Sequence, residues 1–390
     1  MEFAWAESQI AYRQKLVDLK EREIPSDWWE NYAAHGPANP KLMQFARSFN
    51  PKLAAEDLVV PHWPVEYGGR NADAWDHIIM SEEMWSDGEP RSSLYMGTNW
   101  AGPAIMRFGT EAQKRDHLLP LAQGKVLWCQ GFSEPSAGTD LAALSTRAER
   151  TATGYRLNGS KIWTSYAANA DICFLLAKMD DAGKSKGAVT VFLVPLWDET
   201  GKARPPGLEI RPILGIHHDD DFNEVFLTDL ELPENARLGG EGMGWEIVQA
   251  VIHNERIGAA RYEHARRALN NAVAHLKQRG KFKGAIRQAA ARAFAACEAA
   301  RWLTYLVIDG RVKGRGADNT TYIARYAMIL CNHAVSNFIS ENMPDLLIDG
   351  VDGRSLQFWS SAISSGMAAG AAEVQLNMIS GRHLGLPRGV

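Results

Sequence analysis

The hydrophobic period of the chain changes twice, and those changes constrain the fold more than any other feature. From about residue 126 to 233, apolar residues come in short β-branched runs: Ile172 to Ala177, Ala188 to Pro195 and Phe222-Asn223-Glu224-Val225-Phe226-Leu227. Runs of this length and composition read as strands, with alternate side chains entering a core. Pro205-Pro206-Gly207 and Pro233 bound them as turns. On either side the spacing becomes helical. Leu42, Phe45 and Ala46 recur that way, as do Ile78, Met80, Met84 and Trp85. Beyond the strands, Gly242-Met243-Gly244-Trp245 leads into a helix through Ile252, Glu255, Ile257 and Ala260. Further helices are predicted over about 285–312, 318–342 and 353–380. An α+β fold in three parts follows: helical over 1–125, β over 126–235 and helical over 236–390.

Composition removes several function classes. A net charge of -4 with no basic stripe argues against nucleic-acid binding. No run of eighteen apolar residues could insert into a membrane, and no signal peptide is visible in a start that is charged from Glu2. Cys129, Cys173, Cys297 and Cys331 have neither metal-ligand spacing nor a disulfide framework, and read as buried thiols of a cytoplasmic protein. His217-His218-Asp219-Asp220-Asp221 could tempt as a metal site, but adjacent side chains point apart, so a solvated loop is expected and no metal. Thr110 followed by Gln113 predicts a capping box. Pro61 to Gly69 reads as a loop, and Asn158-Gly159 as the turn of a hairpin between Tyr155-Arg156-Leu157 and Lys161-Ile162-Trp163.

The stretch Trp128-Cys129-Gln130-Gly131-Phe132-Ser133-Glu134-Pro135-Ser136-Ala137-Gly138-Thr139-Asp140 opens strand-like and breaks at Glu134-Pro135 into a small-residue turn. Gly138 lets a backbone approach a ligand, and Ser133 and Thr139 offer hydroxyls beside the bend. Alone, such a turn is most often only a turn. A second stretch follows, Leu157-Asn158-Gly159-Ser160-Lys161-Ile162-Trp163-Thr164-Ser165. Together the two resemble the flavin-binding segments of the acyl-CoA dehydrogenase family, (Thr/Ser)-Glu-Pro-x-Ala-Gly-(Ser/Thr)-Asp and Asn-Gly-x-Lys-x-Trp-(Ile/Thr)-(Thr/Ser). The resemblance extends through Pro64-Val65-Glu66-Tyr67-Gly68-Gly69, Gly109-Thr110-Glu111-Ala112-Gln113-Lys114 and the tail Leu384-Gly385-Leu386-Pro387-Arg388.

The resemblance implies an N-terminal helical domain, a β-barrel-like middle domain and a C-terminal four-helix bundle. It also implies FAD as cofactor and α,β-dehydrogenation of an acyl-CoA thioester. Gln130 and Phe132 would line the flavin through the backbone, with Ser133 and Ser165 at the ring edge and Thr164 also among the cofactor-binding residues. Gly138 and Thr139 would face the pyrophosphate and the CoA end, and Trp163 would cover the flavin face away from substrate. Electrons would leave to an electron-transfer flavoprotein; reoxidation by oxygen, as in an acyl-CoA oxidase, is the rival within enzymes.

The chemistry needs a carboxylate to take the α proton. In part of the family that glutamate sits in the last domain, where this chain has Ala369. The branch resembling isovaleryl-CoA dehydrogenase instead carries it in a Glu-Arg pair on the helix after the β domain. Here that pair is Glu255-Arg256. Such a pair is ordinarily a solvated ion pair. The apolar helix around it (Val248, Val251, Ile252, Ile257, Ala260) and the vacancy at Ala369 favour Glu255 as base, with Arg256 as a fixed positive neighbour. Glu373, the rival carboxylate, matches a structural position. The backbone amide of Ala369 or Gly370 would polarise the thioester carbonyl.

Segments that family members donate to a neighbour's flavin look degraded here, at Arg279-Gly280-Lys281-Phe282-Lys283 and from Asn342 to Gly350. A tetramer is expected, either a homotetramer or a heterotetramer with a second acyl-CoA dehydrogenase-like chain. A non-catalytic supporting subunit is the alternative outside catalysis.

Overall fold

The computed structural model describes residues 4–180, 189–215, 221–255, 260–315, 319–348, 351–368 and 370–387. The N-terminal part is helical: α1 (Glu7–Glu23), α2 (Trp28–His35), α3 (Pro40–Ala55) and α4 (Ala74–Ser86). A short α5 (Leu94–Met96) then runs through a π-turn at Gly97–Ala101 into α6 (Gly102–Phe108), and α7 is Glu111–Ala122. The π-turn packs closely because two glycines allow it. A Cβ on Gly97 would lie 2.3 Å from Leu121, and one on Gly102 would lie 2.3 Å from the Trp63 ring.

The expected capping box opens α7. Thr110 Oγ1 accepts from Gln113 N at 3.2 Å, and Gln113 Oε1 accepts from Thr110 N at 3.0 Å. The other end of the same glutamine donates to the carbonyls of Asn235 and Arg237, both at 2.8 Å, and so ties this helix to the β region.

The middle region is one sheet. Its strands are β1 (Trp128–Gly131), β2 (Arg147–Arg150), β3 (Gly154–Lys161), β4 (Ile172–Met179), β5 (Val189–Pro195), β6 (Leu208–Ile213), β7 (Phe222–Pro233) and β8 (Arg237–Leu238). The order is β6-β7-β3-β2-β4-β5-β8, with β1 added in parallel to β4. Both faces are covered. Phe174 and Leu176 of β4 join the core beneath the N-terminal helices, while Cys173, Leu175 and Ala177 join a second core on the opposite face. That double burial is why β4 and β5 read as nearly unbroken apolar runs.

The third region holds α8 (Gly244–Glu255), α9 (Arg261–Gln278), α10 (Gly284–Val312), α11 (Thr320–Asn342), α12 (Gly353–Ile363) and α13 (Ala372–Met378). Helices α9 to α12 pack around a separate apolar core that includes Leu269, Cys297, Cys331 and Phe358. All four cysteines are free and buried. Among the described residues no helix is long and apolar enough to cross a membrane, and no cluster of side chains could hold a metal. The stretch 216–220, with both histidines of the acidic loop, lies outside the described residues.

Two sequence expectations need correction. Asn158-Gly159 is not a hairpin turn, because β3 runs straight through it. The pairing of β3 with β7 shifts register between Leu157 and Gly159, which marks a bulge. Gly159 has φ +147°, and a Cβ there would sit 2.7 Å from the Thr146 backbone. Asn158 bonds across to Asp229 through both ends of its amide rather than closing a turn. The helix expected over about 353–380 is two helices. The break spans Ser364 to Ala371, where Gly370 adopts φ +92°.

Candidate functional site

The site begins at β1, which pairs with β4 alone, so among the described residues its second edge carries no strand. The chain then makes a tight turn in which Glu134 and Ala137 exchange backbone bonds of 2.9 and 3.0 Å around Pro135-Ser136. Glu134 points inward. Lys161 Nζ, from the end of β3, donates to its Oε1 at 2.6 Å, and both side chains are essentially inaccessible to solvent. Thr146 N donates to Oε1 at 3.0 Å, and Ser145 donates to Oε2 from its backbone N–H at 2.5 Å and from its hydroxyl at 2.7 Å. Burial alone would raise the Glu134 carboxyl, but these hydrogen bonds and the Lys161 charge outweigh it and bring it down to about 2. Burial pushes the Lys161 ammonium below its ordinary value, against the opposing pull of Glu134. The two sequence segments are therefore joined by a buried ion pair. Glu134 and Lys161 belong to the two sequence patterns, but nothing local in either pattern tells a buried Glu-Lys pair from a solvated one.

A backbone bond makes a second join, with Ile162 N donating to Ser133 O at 2.9 Å. The chain beyond is held against the start of β7. Thr164 N donates to Asn223 O at 3.0 Å, Asn223 Nδ2 donates back to Thr164 O at 3.2 Å, and Tyr166 N donates to Asp221 O at 2.8 Å. Trp163 lies in this run at φ +57° and Tyr166 at φ +62°, a region that non-glycine residues rarely enter. The result places the Trp163 indole outside, 56% exposed, in edge contact with Phe222.

The structure therefore gathers Gln130, Phe132, Ser133, Trp163, Thr164 and Ser165 at one seam, with Gly138 and Thr139 exposed on the adjoining turn. Phe132 is buried against Phe174, while Gln130, Ser133 and Ser165 are half-buried. Thr164 is fully buried, and its hydroxyl has no partner among the described residues. Gly138 has no atom within 4 Å of where a Cβ would project, so this chain's own packing does not require glycine there. An open strand edge, three accessible hydroxyls, an orphaned fourth and an exposed indole fit a flat heteroaromatic group with a polar rim and an anionic tail, which is the chemistry of a flavin dinucleotide.

The helix expected to carry the base starts where predicted. Gly244 lets α8 begin in contact with β5, since a Cβ there would lie 2.5 Å from Val189 O. Glu255 closes α8, but its side chain lies outside the described residues, as do Arg256 and Ala369. Both β1 and α8 pack against the π-turn at 97–101. Asn99 within it is buried, and Tyr95 and Trp100 pack edge to face. π-turns within helices often mark functional sites.

Family models describe the chain in three consecutive pieces: the N-terminal domain of acyl-CoA dehydrogenase over residues 6–125, the middle domain over 129–230 and the C-terminal domain over 242–384. Acyl-CoA dehydrogenase IpdE1 of Mycobacterium tuberculosis is 32% identical over 351 residues, covering 88% of this chain and 88% of that protein. The chain belongs to the acyl-CoA dehydrogenase family. It is an enzyme of that oxidoreductase class, and the N, middle and C-terminal acyl-CoA dehydrogenase domains account for the helical, sheet and helical regions described above. Two solved structures share this acyl-CoA dehydrogenase fold over its full length. The Tcur3481-Tcur3483 steroid ACAD has a TM-score of 0.87 at 23% identity, and the ChsE4-ChsE5 complex from Mycobacterium tuberculosis has 0.84 at 24%; each match covers 100% of both chains.

Proposed function

We propose that this acyl-CoA dehydrogenase carries out α,β-dehydrogenation of an acyl-CoA thioester, with Glu255 taking the α proton. FAD, when bound, supplies a hydride acceptor that hands electrons to an electron-transfer flavoprotein. The observation that carries this reading is the double join of the two segments, Lys161 to Glu134 and Ile162 to Ser133. It supports a shared role for Ser133, Thr164, Ser165 and Trp163, which lie beside these joins. Gln130 and Phe132 would line the ring through the backbone, and Gly138 and Thr139 would face the pyrophosphate and CoA end. Arg256 is the fixed cation beside the base. The amide at Ala369 or Gly370 holds the thioester oxygen, where charge develops as the proton leaves.

The test is turnover of short, branched, long and steroidal acyl-CoA esters with an artificial electron acceptor, comparing wild type with Glu255→Gln. Loss of a general base lowers kcat by roughly 10²- to 10⁴-fold while bound flavin is kept. Unchanged turnover in Glu255→Gln would leave the supporting-subunit role standing, and peroxide formed in step with turnover would indicate reoxidation by oxygen.

The fold neighbours named for paired chains favour a heteromer, in which a second acyl-CoA dehydrogenase-like chain completes the adenosine side of the cofactor. A fully flavinylated, active homo-oligomer of this chain alone would end that part of the reading.

A further inference from the structure

The break between α12 and α13 is fastened to α11 by two buried side chains. Arg325 is 4% exposed, and its Nη2 donates to Ser365 O at 2.9 Å and to Ala368 O at 2.7 Å. Asn332 lies about two helical turns further along α11 and on the same side. Its Nδ2 donates to Ser365 Oγ at 2.8 Å. Ser365 itself is 3% exposed, and the far end of the break is closed by Ala372 N donating to Gly366 O at 2.8 Å. A guanidinium is thus placed, inside the protein, directly on the carbonyls of the turn that leads to residues 369 and 370.

The chemistry of the peptide group makes this contact specific. The Ala368 carbonyl shares one peptide unit with the N–H of the following residue. A charge-assisted hydrogen bond at the oxygen of such a unit draws electron density from its nitrogen and makes the N–H a better donor. Low dielectric around a buried contact strengthens that effect. The mechanism above assigns the 369 or 370 amide to the thioester oxygen, and an amide with this function must be aimed as well as polarised.

We propose that Arg325 is a positioning residue for the dehydrogenation: it holds the turn between α12 and α13 and, through the Ala368 carbonyl, strengthens the following amide as the donor to the thioester oxygen. Asn332 fixes the Ser365 end of the same turn. Arg325 touches no reacting atom and exchanges no proton. Its effect falls on the enolate-like charge that gathers on the thioester oxygen as the α proton departs. The inference rests on the acyl-CoA reading of the site.

The experiment uses the flavin-loaded enzyme, with its partner chain where one is needed, and compares wild type, Arg325→Met, Arg325→Lys and Asn332→Ala. Two quantities are read: kcat and KM for the best acyl-CoA substrate, and the ultraviolet band of a bound 3-arylacryloyl-CoA, which moves to longer wavelength as its thioester carbonyl is polarised. In Arg325→Met, kcat falls by roughly ten- to a hundredfold, because an indirect effect stays below the loss of a whole oxyanion donor. KM stays within about threefold, since ground-state binding is largely spared. The red shift of the saturated complex shrinks. Arg325→Lys, which keeps the charge and a donor, recovers most of both readouts, and Asn332→Ala loses less than Arg325→Met. If Arg325→Met does not yield folded protein, Arg325→Gln, a neutral donor of similar reach, takes its place.

A folded neutral variant with wild-type kcat, or one whose lost activity comes with an undiminished red shift, overturns the role of Arg325 and leaves the dehydrogenase reading in place. A wild-type enzyme that neither oxidises any acyl-CoA nor shifts the probe overturns both.

Discussion

Replacing Lys161 with methionine isolates the strongest electrostatic feature of the site. Methionine keeps the length and apolar bulk of the side chain but removes the ammonium 2.6 Å from Glu134 Oε1. The Glu134 carboxylate stays buried, with donors from Ser145 and Thr146 but without its cation. Breaking a buried pair from one side costs roughly 3–5 kcal/mol, because an uncompensated charge is left behind. That is a large share of the roughly 5–15 kcal/mol that holds a typical domain folded. Urea unfolding followed by tryptophan fluorescence reads the cost as a lower midpoint. The double variant Lys161→Met with Glu134→Gln removes the stranded charge and keeps an acceptor for Ser145 and Thr146, so it recovers part of the loss. The acid limb provides an independent check. In wild type the depressed Glu134 carboxyl contributes stability that is fully present above its ordinary value near 4.5 and is lost as pH falls through about 2. Without Lys161 the folded-state value rises, so acid unfolding begins at higher pH. A Lys161→Met protein within about 1 kcal/mol of wild type, with an unmoved acid midpoint, would refute the claim that this pair joins the two segments.

Two further outcomes follow from the same geometry. His62 and His264 are held down to about 4 by burial, and His77, whose Nδ1 lies 3.2 Å from that of His62, is also well below its ordinary value. The unfolded chain therefore takes up more protons than the folded one between about 6.5 and 4. Stability falls across that window by up to about 1.4 kcal/mol per pH unit per histidine, and His264→Phe lessens the slope in melts from pH 7 to pH 5. Gly159→Ala forces a Cβ to within 2.7 Å of the Thr146 backbone at φ +147°, and lowers stability by more than the roughly 1 kcal/mol of an ordinary strained glycine site; a thermal melt unchanged from wild type would remove the bulge from the account.

The three-part architecture was legible because period, run length and turn residues agree with one another over long stretches. The capping box at Thr110 and Gln113 was legible because its signature is local. The Asn-Gly pair misled because its backbone preferences serve a bulge as well as a turn, and only the partner strand decides between them. Asn158 is claimed by Asp229, a residue distant in sequence. The seam of Ser133, Trp163 and Ser165 was reachable from its motifs. Its support by Glu134, Ser145, Thr146 and Lys161 was not, because a buried Glu-Lys pair has no sequence signature distinct from a solvated one. The π-turn at Gly97–Ala101 and the clamp of Arg325 on Ser365 and Ala368 depend on long-range packing, which no window of residues contains.

The amide of Gln113 acts in two places at once. One end completes the first turn of its helix, and the other is spent on Asn235 and Arg237, beyond the last long strand. Fraying at that helix start is therefore coupled to the hydrogen bonds that tie it to the strand ends. Hydrogen exchange at Thr110 and at the strand ends beside Arg237 should rise and fall together, and the two regions should open as a single cooperative unit rather than swing apart as bodies on a tether.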